Sequence, residues 1–120
     1  MRLTELEFDD AKPVEGYGPG FFRIAGEVLA GPLLITAKGA RPWGGVNDHD
    51  TLLALAGSID VVFLGTGDDI AHIPADLRQA VEGAGIGIEA MSSPAACRTF
   101  NVLVNDGRRI AAALLPITKG

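Results

Sequence analysis

The run Ile59-Asp60-Val61-Val62-Phe63-Leu64 limits the folds open to this chain more than any other stretch. It is almost continuously apolar and ends abruptly in Gly65-Thr66-Gly67. A strand with apolar side chains on both faces must be covered on both faces, which places it centrally in a sheet between two layers. The glycines after it allow a sharp exit and a close approach of backbone. The chain beyond Gly67 has the rhythm of an α/β unit. A helix is predicted over 74–82, opened by Pro74, with Leu77, Ala80 and Val81 at i, i+3 and i+4. Gly83 and Gly85 close it. Ile86-Gly87-Ile88-Glu89 reads as the next strand. A second helix is predicted from about Pro94 to Asp106, capped by the serines before it, with Gly107 as its left-handed C′ residue. The segment 109–115 reads as the last strand, stopped by Pro116. Right-handed crossovers join these three strands in one mixed or parallel sheet carrying the helices.

The first third is β-dominated. Leu3, Glu5 and Phe8 hint at a short opening strand. The stretch 9–19 is broken by Pro13, Gly16, Gly18 and Pro19 and is predicted to be mostly loop. Phe21 to Ile24 and Glu27 to Leu29 form two strand segments around Gly26, and Leu33 to Thr36 is a third β-rich run. The stretch 39–50, GARPWGGVNDHD, is turn-rich, with Asp50 expected to cap a helix over 51–57. Trp43, the single tryptophan, either packs over the core and anchors this loop or lines a pocket.

At 120 residues the chain is predicted to form one domain, 1–120. The expected class is α/β, with three layers, a mixed central sheet bearing helices, and extra β-structure from the N-terminal part. Composition narrows the function. Apolar residues make up 48% of the chain, which favours a well-filled core or an apolar contact surface over disorder. No apolar run reaches the roughly 18–20 residues of a membrane helix. The N-terminal MRLTELEFDD is too acidic and too weakly apolar for a signal peptide or presequence. The single cysteine allows no internal disulfide and no cysteine-based zinc site, so a reducing cytoplasm is the expected location. A net charge of −5 with scattered basic residues argues against nucleic acid.

Ligands of open α/β sheets gather outside the carboxyl ends of the strands. That rule brings Gly65, Thr66 and Gly67 beside Met91, Ser92 and Ser93 as a candidate cleft. The G-T-G has neither a G-x-G-x-x-G nor a G-K-[ST] continuation, and Asp68 and Asp69 would repel a phosphate. No cofactor is expected. On the predicted 94–106 helix, Ala96, Cys97, Phe100, Leu103 and Val104 share one face, the core side. Arg98, Asn101 and Asn105 lie on another stripe, with Ala95 and Val102 between. Two readings stay open for the stripe, a solvated polar face or a recognition surface. Cys97 reads as a buried structural thiol or, in a cationic setting, a nucleophile. Asp48-His49-Asp50 is a poor metal site, because consecutive residues rarely converge on one ion. No catalytic set and no metal set is assigned.

These residues also carry a resemblance. The strand and GTG at 61–67, the proline-led helix at Pro74, G-I-x-I-E-x-M at 85–91, A-A-C-R-T-F-N-V-L at 95–103 and G-R-R-I-A-A-A-L at 107–114 resemble a family of small single-domain proteins. So do the F-x-I-x-G-x-V strand pair at 22–28 and Trp43. Bacterial and archaeal members are mostly uncharacterised, and mitochondrial members include the respiratory complex I (NADH:ubiquinone oxidoreductase) assembly factor 3. Members commonly carry Asp-Thr where Ser92-Ser93 stands here. The resemblance implies a three-layer α/β fold and a non-enzymatic role exercised through protein contacts, with respiratory-complex subunits or other assembly factors as partners. A bacterial copy would then be cytoplasmic and reach the inner membrane only through a partner. A small-ligand or anion-binding domain, or an unrecognised enzyme, using the cleft is the alternative. Self-association is compatible with either.

Overall fold

The structure, a computed structural model, describes residues 5–119. Nine strands and three helices are found among them, in two sheets. Strands β1 (Leu6–Glu7), β5 (Leu33–Thr36), β6 (Gly39–Pro42), β7 (Val61–Gly65), β8 (Gly87–Met91) and β9 (Ile110–Leu114) form a six-stranded sheet ordered β1-β6-β5-β9-β7-β8. Strands β2 (Val14–Gly18), β3 (Phe21–Ile24) and β4 (Glu27–Ala30) form a separate antiparallel meander. The large sheet is mixed. β7 runs parallel to both β8 and β9, while β5 is antiparallel to β9 and β6. The α/β alternation of the second half therefore builds the parallel part. The hairpins of the first half extend it and add the second sheet.

Side-chain alternation along β7 and β9 sorts the core into two layers. Phe63 of β7 and Ile110, Ala112 and Leu114 of β9 face α3 (Ser93–Asn105) and the small sheet, where Phe22, Ile24, Leu29 and Phe100 are also buried. Val62, Leu64, Ala111 and Ala113 face the opposite way, onto Leu52 of α1 (His49–Leu53) and Leu77 and Val81 of α2 (Ala75–Gly83). The sheet is thus the middle of three layers. The alanines at 111–113, all fully buried, let the neighbouring elements approach β9 closely. No helix among the described residues is long and apolar enough to cross a membrane.

Three local expectations are corrected. The stretch 9–19 contains a strand, β2, because β3 supplies a partner that outweighs the glycines; its register is irregular between Val14 and Gly16. The turn-rich stretch 39–50 begins with β6, sandwiched between β1 and β5, with Pro42 at its last position. The cap of α1 is Asp48 rather than Asp50. Asp48 accepts from the Thr51 amide at 3.2 Å and the Thr51 hydroxyl at 2.6 Å, and its other reach, to the Gly44 amide at 2.9 Å, closes the preceding turn. The Thr51 hydroxyl first, and then the Gly44 amide, hold its carboxyl below the ordinary range. Trp43 is buried and donates from its indole nitrogen to the Asp48 carbonyl at 3.0 Å, anchoring the loop. The opening strand is β1, Leu6–Glu7, and Leu3 lies outside the described residues.

Candidate functional site

The two loops expected to border a cleft do meet at the carboxyl ends of β7 and β8. They are bonded to one another. The Thr66 amide donates to the Met91 carbonyl and the Ser93 amide to the Gly67 carbonyl, each at 2.8 Å. Ser93 is fully buried between them. Its hydroxyl accepts from the Gly67 amide at 2.9 Å and donates to the Leu115 carbonyl at 2.5 Å, so one side chain ties the ends of β7, α3 and β9 together. The Leu115 amide returns to the Gly65 carbonyl at 2.9 Å. Gly65 has to be glycine for this: a Cβ there would stand 2.8 Å from the Ser93 hydroxyl and 2.9 Å from its Cα. Gly67 has φ +95°, a region glycine enters without strain.

This geometry decides what the helix start can do chemically. A free helix N-terminus attracts anions through its unpaired amides. Here the Ser93 amide is taken by Gly67, Pro94 has none, and the Ala95 amide is taken by the Ser92 hydroxyl at 3.3 Å. The Ala96 amide bonds the Ser92 carbonyl. Thr66 is spent in the same way. Its hydroxyl accepts from the Ala71 amide at 3.0 Å and reaches the Asp69 and Met91 carbonyls at 2.7 and 3.1 Å. Beside it Asp68 latches the C-terminal tail, accepting from the Thr118 amide at 2.9 Å, the Thr118 hydroxyl and the Lys119 amide at 3.3 Å. The Thr118 hydroxyl, then its amide, lowers the Asp68 carboxyl below its ordinary value.

The polar stripe of α3 divides. Arg98, Val102 and Asn105 are exposed, and Val102, at 62%, is with Ile70 one of the two most open large apolar side chains among the described residues. Asn101 is half-buried and committed. Its amide group donates to the Val14 carbonyl at 2.9 Å and its carbonyl accepts from the Val14 amide at 2.8 Å, so it pairs the first residue of β2 as a neighbouring strand would. Residues Ala11 and Pro13 approach this side of α3, and with Val102, Asn105 and Asp106 they line an open depression of about 560 Å³. The spacing of polar residues could not show this double role of Asn101, since the signal lies in a partner 87 positions away.

The remaining candidates lie away from these loops. Cys97 is buried on the core side of α3, and burial pushes its thiol up to about 12, against the smaller opposing pull of Arg98. His49 has its Nε2 3.5 Å from the Asp76 carboxylate, linking α1 to α2. Among the described residues no three of His, Cys, Asp or Glu stand close enough together to hold a metal ion.

Comparison with known proteins fits this architecture. Residues 14–115 match a family described as a protein of unknown function (DUF498/DUF598). An uncharacterized protein of Rhodobacter capsulatus is 52% identical over 98% of this chain and 94% of its own length. The mouse NADH dehydrogenase [ubiquinone] 1 alpha subcomplex assembly factor 3 is 30% identical over 97% of this chain, which spans 66% of that relative's length. A solved structure described as an outer membrane protein from Bartonella henselae superposes with a TM-score of 0.82 at 31% identity, over 92% of this chain and 98% of its own. On sequence and fold together, the chain belongs to the DUF498/DUF598 family, and its relatives include the NADH dehydrogenase [ubiquinone] 1 alpha subcomplex assembly factor 3.

Proposed function

We propose that the protein is a non-enzymatic interaction domain of the assembly-factor kind, binding partner proteins through the exposed stripe of α3. The observation that carries this reading is the 30% identity to an assembly factor across 97% of this chain. The site geometry supports it. The loops that would hold a small ligand spend their amides and hydroxyls on each other, whereas Arg98, Val102 and Asn105 stand in solvent beside the depression bordered by Ala11 and Pro13. An exposed valine flanked by an arginine is the make-up of a contact surface, since apolar area supplies binding energy and the guanidinium supplies orientation. The partners implied are subunits of a respiratory complex or other assembly factors. The site of action is the cytoplasm, with contact to the inner membrane made through the partner.

Quantitative affinity capture from a host that builds complex I tests the reading. Stoichiometric recovery of respiratory-complex subunits or an assembly factor is the expected result. Repeated recovery of the protein alone would overturn it.

A further inference from the structure

The strand order ends at β8, which pairs with β7 alone among the described residues. Which of its groups face outward is fixed by two bonds. The Gly87 amide donates to the Asp60 carbonyl and the Met91 carbonyl accepts from the Thr66 amide, so residues 87, 89 and 91 point their backbone groups inward. Parallel pairing alternates, and Ile88 and Ala90 therefore direct both amides and both carbonyls to the open edge. Asn101 covers the β2 edge at Val14, and β8 has no such cover among the described residues. Open edges of this kind are templates for strand addition.

Register and charge select the occupant. A second copy pairing antiparallel about a twofold axis would match Ile88 with Ala90 and set Glu89 directly against its own copy, where like charges oppose pairing. Shifting the axis to Ile88 brings Ile86 into the ladder, yet its amide is bonded to the Val81 carbonyl. Shifting it to Ala90 brings in Ser92, whose carbonyl accepts from Ala96. Glu89 is exposed and has no ion-pair partner among the described residues. Asp68 is committed to Thr118 and Lys119, Asp76 to His49 and Glu82 to Arg78, so the charge that β8 itself presents is Glu89. The side chains fit the same occupant. Ile88 belongs to the α1–α2 layer and Met91 packs with the α3 layer, so Glu89 shares a face with Met91.

We propose that the β8 edge is a docking strand for an extended, basic segment of a partner protein, which adds to the sheet beside Ile88 and Ala90 and places a Lys or Arg against Glu89. This rests on the reading of the protein as an interaction domain and adds a second contact to the α3 stripe.

The test is an amide NMR titration with three blocked seven-residue peptides of alternating threonine and valine. One has a central lysine, one a central glutamate, and one is the lysine peptide N-methylated on the amides facing β8. Saturable shifts centred on the Ile88 and Ala90 amides are expected from the lysine peptide. The glutamate peptide should bind about tenfold more weakly, and N-methylation should abolish the shifts. Glu89→Lys, whose spectrum first confirms the native fold, should reverse the charge preference. Shifts centred elsewhere, indifference to N-methylation, an unchanged preference in Glu89→Lys, or no saturable shift with the lysine peptide would each overturn the inference. Partner capture by the wild-type protein alongside any of those results would leave the interaction reading standing without this edge. Capture of nothing would remove both.

Discussion

Ser93 serves three chain segments with one buried hydroxyl, and this makes it a costly side chain to remove. Ser93→Ala would strand the Gly67 amide and the Leu115 carbonyl in a dry environment, at a cost of about 1–3 kcal/mol. Gly65→Ala would force a methyl group against the same serine, at about 1–3 kcal/mol or more. Because the residues touch, the double variant should depart from the sum of the two; urea denaturation of all three proteins reads this. Asn101→Ala should cost a similar 1–3 kcal/mol, roughly, and speed hydrogen exchange at the Val14 amide, while a purely solvated asparagine would leave both unchanged. Asn101→Asp keeps the acceptor for the Val14 amide but has no donor for its carbonyl, so it should not rescue. Ser92 and Pro94 were legible as a helix start because capping is local chemistry. Ser93 read as a capping or cleft serine and Asn101 as part of a polar stripe, and the bonds they make were not legible because their partners are distant in sequence.

At the scale of elements, the C-terminal tail is anchored at buried Ile117, whose carbonyl accepts from the Gly20 amide at 3.0 Å, and beyond it residues 118 and 119 are latched by the Asp68 carboxylate. Asp68 has a folded pKa below its ordinary value of 3.8, so its contribution is present above that value and is lost as pH falls through the lowered pKa. The Thr118 and Lys119 amide signals should therefore hold from neutral pH down to about that ordinary value and lose their protection below it. Asp68→Ala, which removes the acceptors, should release them already at neutral pH. Retention of both signals in Asp68→Ala would contradict the latch. The strands missed in the sequence, β2 and β6, share a cause. Val14–Gly18 holds two glycines and Gly39–Pro42 ends in proline, so neither has an alternating pattern. Each exists because a more apolar strand beside it, β3 or β5, supplies partners and cover. The β7, α2, β8, α3 and β9 series was legible because each element carries its own period and its own stop. The shift of the α1 cap to Asp48 shows the limit of that logic, since Asp48 and Asp50 are the same residue type two positions apart and only the turn at Gly44 distinguishes them.

For the whole molecule, the run 59–64 predicted a covered central strand, and β7 lies between β9 and β8 with buried side chains in both layers. The cover on the second face was not legible. The small sheet packs beside α3 through Val14, Phe22, Ile24 and Leu29, which are apolar residues common to many β hairpins. The two loops named as a candidate cleft are bonded to one another, and that bonding depends on Gly65 lacking a Cβ and on the placement of the Ser93 hydroxyl. The molecule that results has a closed joint at the ends of its parallel strands and polar and apolar groups open to solvent on α3. The most direct measurement is paired affinity capture with the wild-type protein and an Arg98→Ala, Val102→Glu variant. Both side chains are exposed, so the variant should unfold within about 0.5 kcal/mol of wild type. The account predicts a stoichiometric partner with the wild-type protein and about tenfold less of it, or lower still, with the variant. Equal recovery by both, or no partner with either, would contradict it.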